Sequence, residues 1–342
     1  MNLPPRPVRR VLGPLALVVA LAVTLVLLPV LAVLAAVASL WLPGRWRGLR
    51  LLGFAVVGLA LELAALVAAV ALWVASGFGW RLRSPRFEAA HYAVLRMLLE
   101  AVVGAAQRLF KLRLETDGVS WSPLDDGAPG STNAMIVLSR HAGPGDSLLL
   151  METLMNHDHL RRPRTVMKDT LQLDPVLDVY FHRLPSRFID PTPEAGDDVE
   201  ATIAALSSGL STEDALLIFP EGGNFTPQRR VLAIDRLRRR GHTVYADRAT
   251  GMLNVLPPKP GGVLAAFEGA PHADVVFVAH TGLEHIISAR DAWRALPQDK
   301  TLHLRWWFYQ ADEVPREHDE RLAWLFERWE DIDGWIAARG AS

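Results

Sequence analysis

The chain has 342 residues, a formal net charge of −1 and no cysteine, so disulfides, thiolate nucleophiles and cysteine-bound metals are excluded. The hydrophobic share is 50%, but polarity is unevenly spread: residues 1–80 carry six arginines against the single acid Glu62, so the remainder carries a net −6. A basic, apolar head on a mildly acidic body points to an anionic membrane surface. It argues against nucleic acid as a partner, which needs positive charge on the folded domain.

In chain order, the first two segments are 11–42, with 32 residues and no charge, and 51–79, with 29 residues and only Glu62. Each exceeds the roughly 20 residues that a helix needs to cross a bilayer, and each is too long for the apolar core of a cleaved signal. Residues 1–80 are therefore expected to form membrane-embedded or interfacial helices. Arginines stand before the first segment and again between the two, so counting positive charge gives no single plain crossing. Two arrangements answer this: Pro29 breaks the first segment into a re-entrant hairpin, or both segments lie partly in the interface. Residues 81–130 then read as an amphipathic bridge helix over 87–110, with Leu95, Leu98, Leu99, Val102 and Val103 at helical spacing, followed by a Pro- and Gly-rich linker.

Beyond residue 131 the pattern alternates. Strands are expected at 134–138, 164–167, 187–189, 215–219, 274–279 and 302–309, and helices at 197–210, 228–240 and 316–339. That alternation predicts an α/β layered domain.

Two strand ends carry chemistry. In Ser139-Arg-His-Ala-Gly-Pro-Gly-Asp-Ser147, His141 and Asp146 follow the 134–138 strand, and a helix beginning near Pro144 would fold the aspartate back to the histidine. A carboxylate fixes the tautomer of an imidazole and favours its cation, which suits a general base. Taken alone, this spacing also fits a capped loop. Phe219-Pro-Glu-Gly222 puts Glu221 and two glycines at the end of a second strand, where the backbone can approach an anion closely.

His157 and His159 read as surface polar residues rather than metal ligands, since no further ligand clusters with them. Ser147 lacks the small-x-Ser-x-Gly elbow of a hydrolase nucleophile. The arginine-rich helix over 228–240 fits either a solvated face or one lying near anionic headgroups.

Together the H-x4-D block, His141 to Asp146, and the F-P-E-G block, Phe219 to Gly222, resemble those of the glycerolipid acyltransferase family in order and separation. Lys168-Asp-Thr-Leu171 with Pro175, and Arg187-Phe-Ile-Asp190, are similar to that family's intervening motifs. Leu256-Pro-Pro-Lys-Pro-Gly-Gly262 resembles a segment of a lysocardiolipin-type subgroup. The resemblance implies a glycerolphosphate-acyltransferase-like layered α/β domain over 131–342, with a C-terminal strand and helix, behind an N-terminal apolar membrane-attachment region.

It also implies acyl-CoA as co-substrate, a lysophospholipid as acceptor, and no metal or other cofactor. His141 and Asp146 would be catalytic, and Glu221, Gly222, Lys168, Arg187, Arg140, Arg229 and Lys259 would bind the acceptor or its phosphate. Lysophosphatidate is the acceptor most directly implied, giving phosphatidate. Other lysophospholipid or glycolipid acceptors, and a non-catalytic lipid-binding protein, are the alternatives. Anionic membrane lipid is the expected surface, with the domain on the cytoplasmic face where acyl-CoA is supplied. Two positions depart from the family pattern: Asn224, after Gly223, and Asp190-Pro191 stand where phosphate-binding arginines or other basic residues are common.

Overall fold

The computed structural model describes residues 3–41, 44, 46–118, 132–141, 143, 145–156, 160–190, 198–282, 293–294, 296–297 and 299–340. The chain divides into two units. One comprises Met1–Arg113, Val166–Asp197 and Ser288–Lys300, and the other Leu114–Thr165, Asp198–Ile287 and Thr301–Ser342.

The first unit is built on three long helices: α1 (Arg6–Ala38), α2 (Arg47–Ala75) and α3 (Pro85–Phe110). All three are long and apolar enough to cross a membrane. Only 6% of the most apolar window of α1 is buried, so Val11, Val18, Val26, Val33 and their neighbours face outward. An apolar surface of that extent marks a site of contact with lipid or protein. The helix runs without a break through Pro14 and Pro29, which removes the hairpin alternative. A proline removes one hydrogen bond, and in an apolar sequence with no alternative partner for the freed carbonyl the helix tolerates that loss better than a full opening.

α1 and α2 pair as a hairpin, with Gly48 against Ala35 at the turn end. The same unit holds β4 (Arg187–Ile189), which pairs in parallel with the last residues of β3 (Arg162–Lys168), and the short helix α5 (Pro175–Phe181). Asp174 starts α5 by accepting from the amides of Val176 and Leu177. Four bonds then fasten this segment to the long helices. Buried Asp178 accepts from Arg9 at 2.9 Å and Arg10 at 3.2 Å, the Tyr180 hydroxyl donates to the Ala65 carbonyl, and Arg183 donates to the Ala69 carbonyl.

The second unit is the α/β part. Its strands are β1 (Arg113–Gly118), β2 (Met135–Ser139), the first half of β3, β5 (Asp214–Ile218), β6 (Asp274–Thr281) and β7 (Thr301–Tyr309), in the sheet order β1-β7-β6-β2-β5-β3. β2 pairs in parallel with β5 and β6, β3 pairs in parallel with β5, and β7 is antiparallel to β6. β2 and β5 are buried throughout and β6 nearly so. This explains why their sequences are continuous apolar runs rather than alternating ones.

The helices are α4 (Asp146–Met155), α6 (Val199–Ser207), α7 (Pro227–Arg239), α8 (Thr243–Gly251), α9 (Pro260–Gly269) and α10 (His318–Gly340). α6 packs on α9, and α10 packs on β6 and α9. Trp329 of α10 is fully buried, faces the Phe277 ring of β6, and donates its indole N–H to the Leu256 carbonyl at 2.9 Å. The Trp306–Tyr309 aromatics lie along β7, as expected of a core strand, with Trp306 buried and Trp307 edge-on to Trp335.

β1, α5, α8 and α9 were not expected from the sequence. The two histidines at 157 and 159, the linker at 119–131 and Pro191 lie outside the described residues.

Candidate active site

In an open α/β sheet the carboxyl ends of parallel strands are where ligands are held. Here the adjacent parallel strands β6, β2 and β5 end in His280, His141 and Glu221 respectively, or just before them.

His141 follows β2, and Gly145, with φ +96°, turns the chain so that Asp146 opens α4. The Nδ1 of His141 and the Oδ2 of Asp146 are 2.7 Å apart. The carboxylate is filled by donors: Oδ2 also accepts from the Gly143 amide at 3.2 Å, and Oδ1 from the Ser147 amide at 2.6 Å. An ionised carboxylate only accepts, so Nδ1 carries the proton and Nε2 is the basic nitrogen. Asp146 is 2% exposed at its side chain and His141 26%, so the base can be reached and its orienter is shielded. Burial alone would raise the Asp146 carboxyl, but the His141 hydrogen bond and charge, the His280 charge and the Gly143 amide hold it below its ordinary value.

The second block backs the first. The Phe219 ring lies 4.7 Å from the His141 ring, and the Phe225 amide donates to the His141 carbonyl at 2.9 Å. Glu221 is buried, with the Leu256 and His141 amides beside its carboxylate. Burial pushes its carboxyl up to about 8, against the charge of Arg140 and the amides of Leu256 and His141, which draw it down. The folded protein thus holds this proton more tightly than the unfolded chain. Its contribution to stability is greatest below about pH 4.5 and is lost as pH rises to about 8. Glu221→Gln, a neutral isostere, is expected to remove that slope, so its unfolding midpoint in detergent gains on the wild type between pH 5 and pH 8. Parallel curves for the two proteins would rule the assignment out.

Gly222 sits at φ +67° in the turn that follows, closed by its amide donating to the Phe219 carbonyl at 3.0 Å. A Cβ there would run into the Lys259 Nζ, which lies over the turn because the Lys259 amide donates to the Pro220 carbonyl at 2.9 Å. Gly222→Ala is expected to cost about 1–2 kcal/mol of stability through the left-handed backbone, with displacement of the Lys259 side chain adding to it. The cost should shrink when Lys259 is also shortened to alanine. Equal penalties with and without the lysine would show that the two do not touch.

The expected phosphate ligands are placed as follows. Arg140 is wholly buried, and its guanidinium donates to the His280 carbonyl at 2.9 Å and the Asn254 carbonyl at 3.2 Å. Its place is beneath the site, tying strand ends together, because the residue that follows a buried central strand has no route to solvent. Arg229 is exposed near the start of α7 and donates to the Asn224 carbonyl at 3.0 Å. Its neighbour Arg230 is spent on the carbonyls of Met252, Thr250 and Ala249, fastening α7 to α8. Lys168 and Arg187 belong to the other unit, at opposite ends of the short parallel β3–β4 ladder, and both are exposed.

Three supporting residues were not foreseen. His280 stands 3.8 Å from the Asp146 Oδ2 through Nε2, which also lies 3.3 Å from the Arg140 carbonyl. Asn254 takes the Asp333 carboxylate on its amide at 2.6 Å, so α10 braces the loop that holds Arg140. None has a local sequence signal, because each acts through a partner more than 75 residues away. Among the described residues, no group of three or more His, Asp or Glu side chains is placed to hold a metal ion.

No curated protein matches the chain. Residues 126–280, which span β2 to the penultimate residue of β6 and contain His141, Asp146, Glu221 and Lys259, match the family model described as Acyltransferase.

Proposed function

We propose that the protein is a membrane-attached, acyl-CoA-dependent lysophospholipid O-acyltransferase, with 1-acyl-sn-glycerol-3-phosphate as acceptor and phosphatidate as product. The observation that carries the reading is the His141–Asp146 pair at 2.7 Å, with Nδ1 committed to the carboxylate. The Nε2 of His141 takes the proton of the acceptor hydroxyl as its oxygen attacks the thioester carbonyl carbon. The carbon–sulfur bond then breaks, and the coenzyme A thiolate leaves with the proton returned from Nε2. Asp146 stabilises the imidazolium between those steps. No covalent acyl-enzyme and no resident cofactor enter this sequence.

The three apolar helices support attachment to the membrane in which acceptor and acyl chain dissolve. Acyl-CoA supply favours the cytoplasmic face for the domain. Lys259, over the Gly222 turn, and exposed Arg229 are the cations of this unit best suited to an acceptor phosphate. Asn224, where the resemblance leads one to expect arginine, favours keeping a second reading: the same transfer to another lysophospholipid or a glycolipid.

Purified protein incubated with labelled acyl-CoA and a panel of lysolipids tests both. Label passing to lysophosphatidate supports the first reading, and label passing only to another acceptor supports the second. No transfer to any acceptor contradicts both.

A further inference from the structure

In the helical unit, a cavity of about 370 Å³ opens between the start of α1, the end of α2, the α2–α3 turn and the end of α5. Four arginines line it, Arg6 and Arg10 from α1, Arg83 from the turn and Arg183 after α5, together with His182 and Trp73; no acidic side chain is among its lining residues. Asp178 beneath it is shared between Arg9 and Arg10, so it offsets only part of this charge. Arg10 meets Asp178 through Nε, and its buried Nη2 has no hydrogen-bond partner. His182 commits Nδ1 to the Asp178 carbonyl at 2.7 Å. Burial and the Arg10 charge lower the Arg183 guanidinium, and burial, with Arg6 and Arg10 adding to it, lowers the His182 imidazole, as expected where like charges converge. Four convergent guanidinium groups with only the shared Asp178 beside them cost folding energy that an anion would recover.

The surroundings give the height of this cavity relative to a membrane. The turn after α2 carries Phe78 and Trp80, 70% and 87% exposed, with Arg81 and Arg83, and Arg86 follows in the first turn of α3. Gly79, at φ +94°, lets the turn close over the Trp73 indole, where a Cβ would collide with Nε1. Exposed aromatics beside arginines at the end of apolar helices form the belt found at headgroup level.

We infer that this four-arginine cavity is a binding site for a phosphate ester at the membrane surface, occupied by the headgroup of an anionic lipid. The arginines supply forked donors for the phosphate oxygens, and Trp73 and Val70 supply an apolar wall for the glycerol end. The cavity is built wholly from the helical unit, and His141 belongs to the other.

The test uses the full chain in uncharged detergent, with labelled dioctanoyl phosphatidate as probe and dioctanoylglycerol or inorganic phosphate as competitors. Arg6 and Arg83 are exposed, so the charge-reversed pair Arg6→Glu/Arg83→Glu is expected to fold and to bind the probe roughly tenfold or more weakly, with a flatter salt dependence. The neutral variant Arg83→Gln, which asks less of folding, should show a smaller loss of the same sign. His141→Gln should bind as the wild type does. Competition by phosphatidate but not by millimolar inorganic phosphate identifies the lipid as the source, and competition by both identifies phosphate itself, each supporting the site. Undiminished binding in both arginine variants, or equal competition by the phosphate-free dioctanoylglycerol, overturns it.

Discussion

His141→Gln is expected to lower acyl transfer about 10³-fold while leaving the protein folded. The size follows from the role: a hydroxyl is a poor nucleophile until its proton is accepted, and Nε2 of His141 is the nitrogen placed for that task by the 2.7 Å bond on the other side of the ring. Glutamine is the informative replacement, because its amide N–H can still donate to the Asp146 carboxylate but offers no base. The side chain is 26% exposed and leaves no large cavity, so unfolding midpoints should move little. Loss of turnover with an unchanged KM for the acceptor would identify a group acting in the transition state rather than in binding. Activity within tenfold of the wild type would remove His141 from the chemistry.

Asp146→Asn is expected to cost on the order of 10³–10⁴-fold, by a different route. The carboxylate receives Gly143 and His141 on one oxygen and Ser147 on the other. An asparagine has one accepting oxygen and one donating nitrogen, so in either orientation a donor faces a donor. If its NH2 faces the histidine, Nδ1 must accept, the ring proton moves to Nε2, and the base is lost. If its NH2 faces the Ser147 amide, a buried donor pair sits at 2.6 Å separation, at a cost of about 1–3 kcal/mol. The variant also tests the electrostatics. The Asp146 carboxyl lies below its ordinary value, so it contributes stability that is present above the unfolded carboxylate range and is lost as pH falls through its folded value. That acid-side loss should be absent from Asp146→Asn when unfolding midpoints are followed from neutral pH downward. An unchanged acid limb would mean that the carboxylate is not held ionised by His141.

How far the sequence could be read depended on whether a residue acts through its neighbours in the chain. The strands β2, β5 and β6 are visible as apolar runs because both faces are covered, and His141 and Asp146 are visible because the turn joining them is local. β1 escaped notice because Arg113-Leu-Glu-Thr-Asp-Gly118 carries its charges on an edge strand, where no burial pattern forms. Arg140 illustrates the reverse error: its position beside the histidine suggested a phosphate ligand, but exposure cannot be read from a sequence, and the residue is wholly buried. His280, Asn254 and Asp333 reach the site from β6, the loop before α9 and the last helix. Their contribution exists only once the sheet and α10 have closed around Arg140. In the head, apolar length announced two helices and helical spacing a third, whereas the arginines at the start of α1 became meaningful only when α5 brought Asp178 and Arg183 against them.

Transfer of labelled acyl groups from acyl-CoA to lysophosphatidate by the purified protein and its His141→Gln variant, at equal folded concentrations, decides whether His141 is the base. The wild type should give labelled phosphatidate and stoichiometric coenzyme A release, both about 10³-fold slower in the variant. Equal transfer by the two proteins would contradict that role.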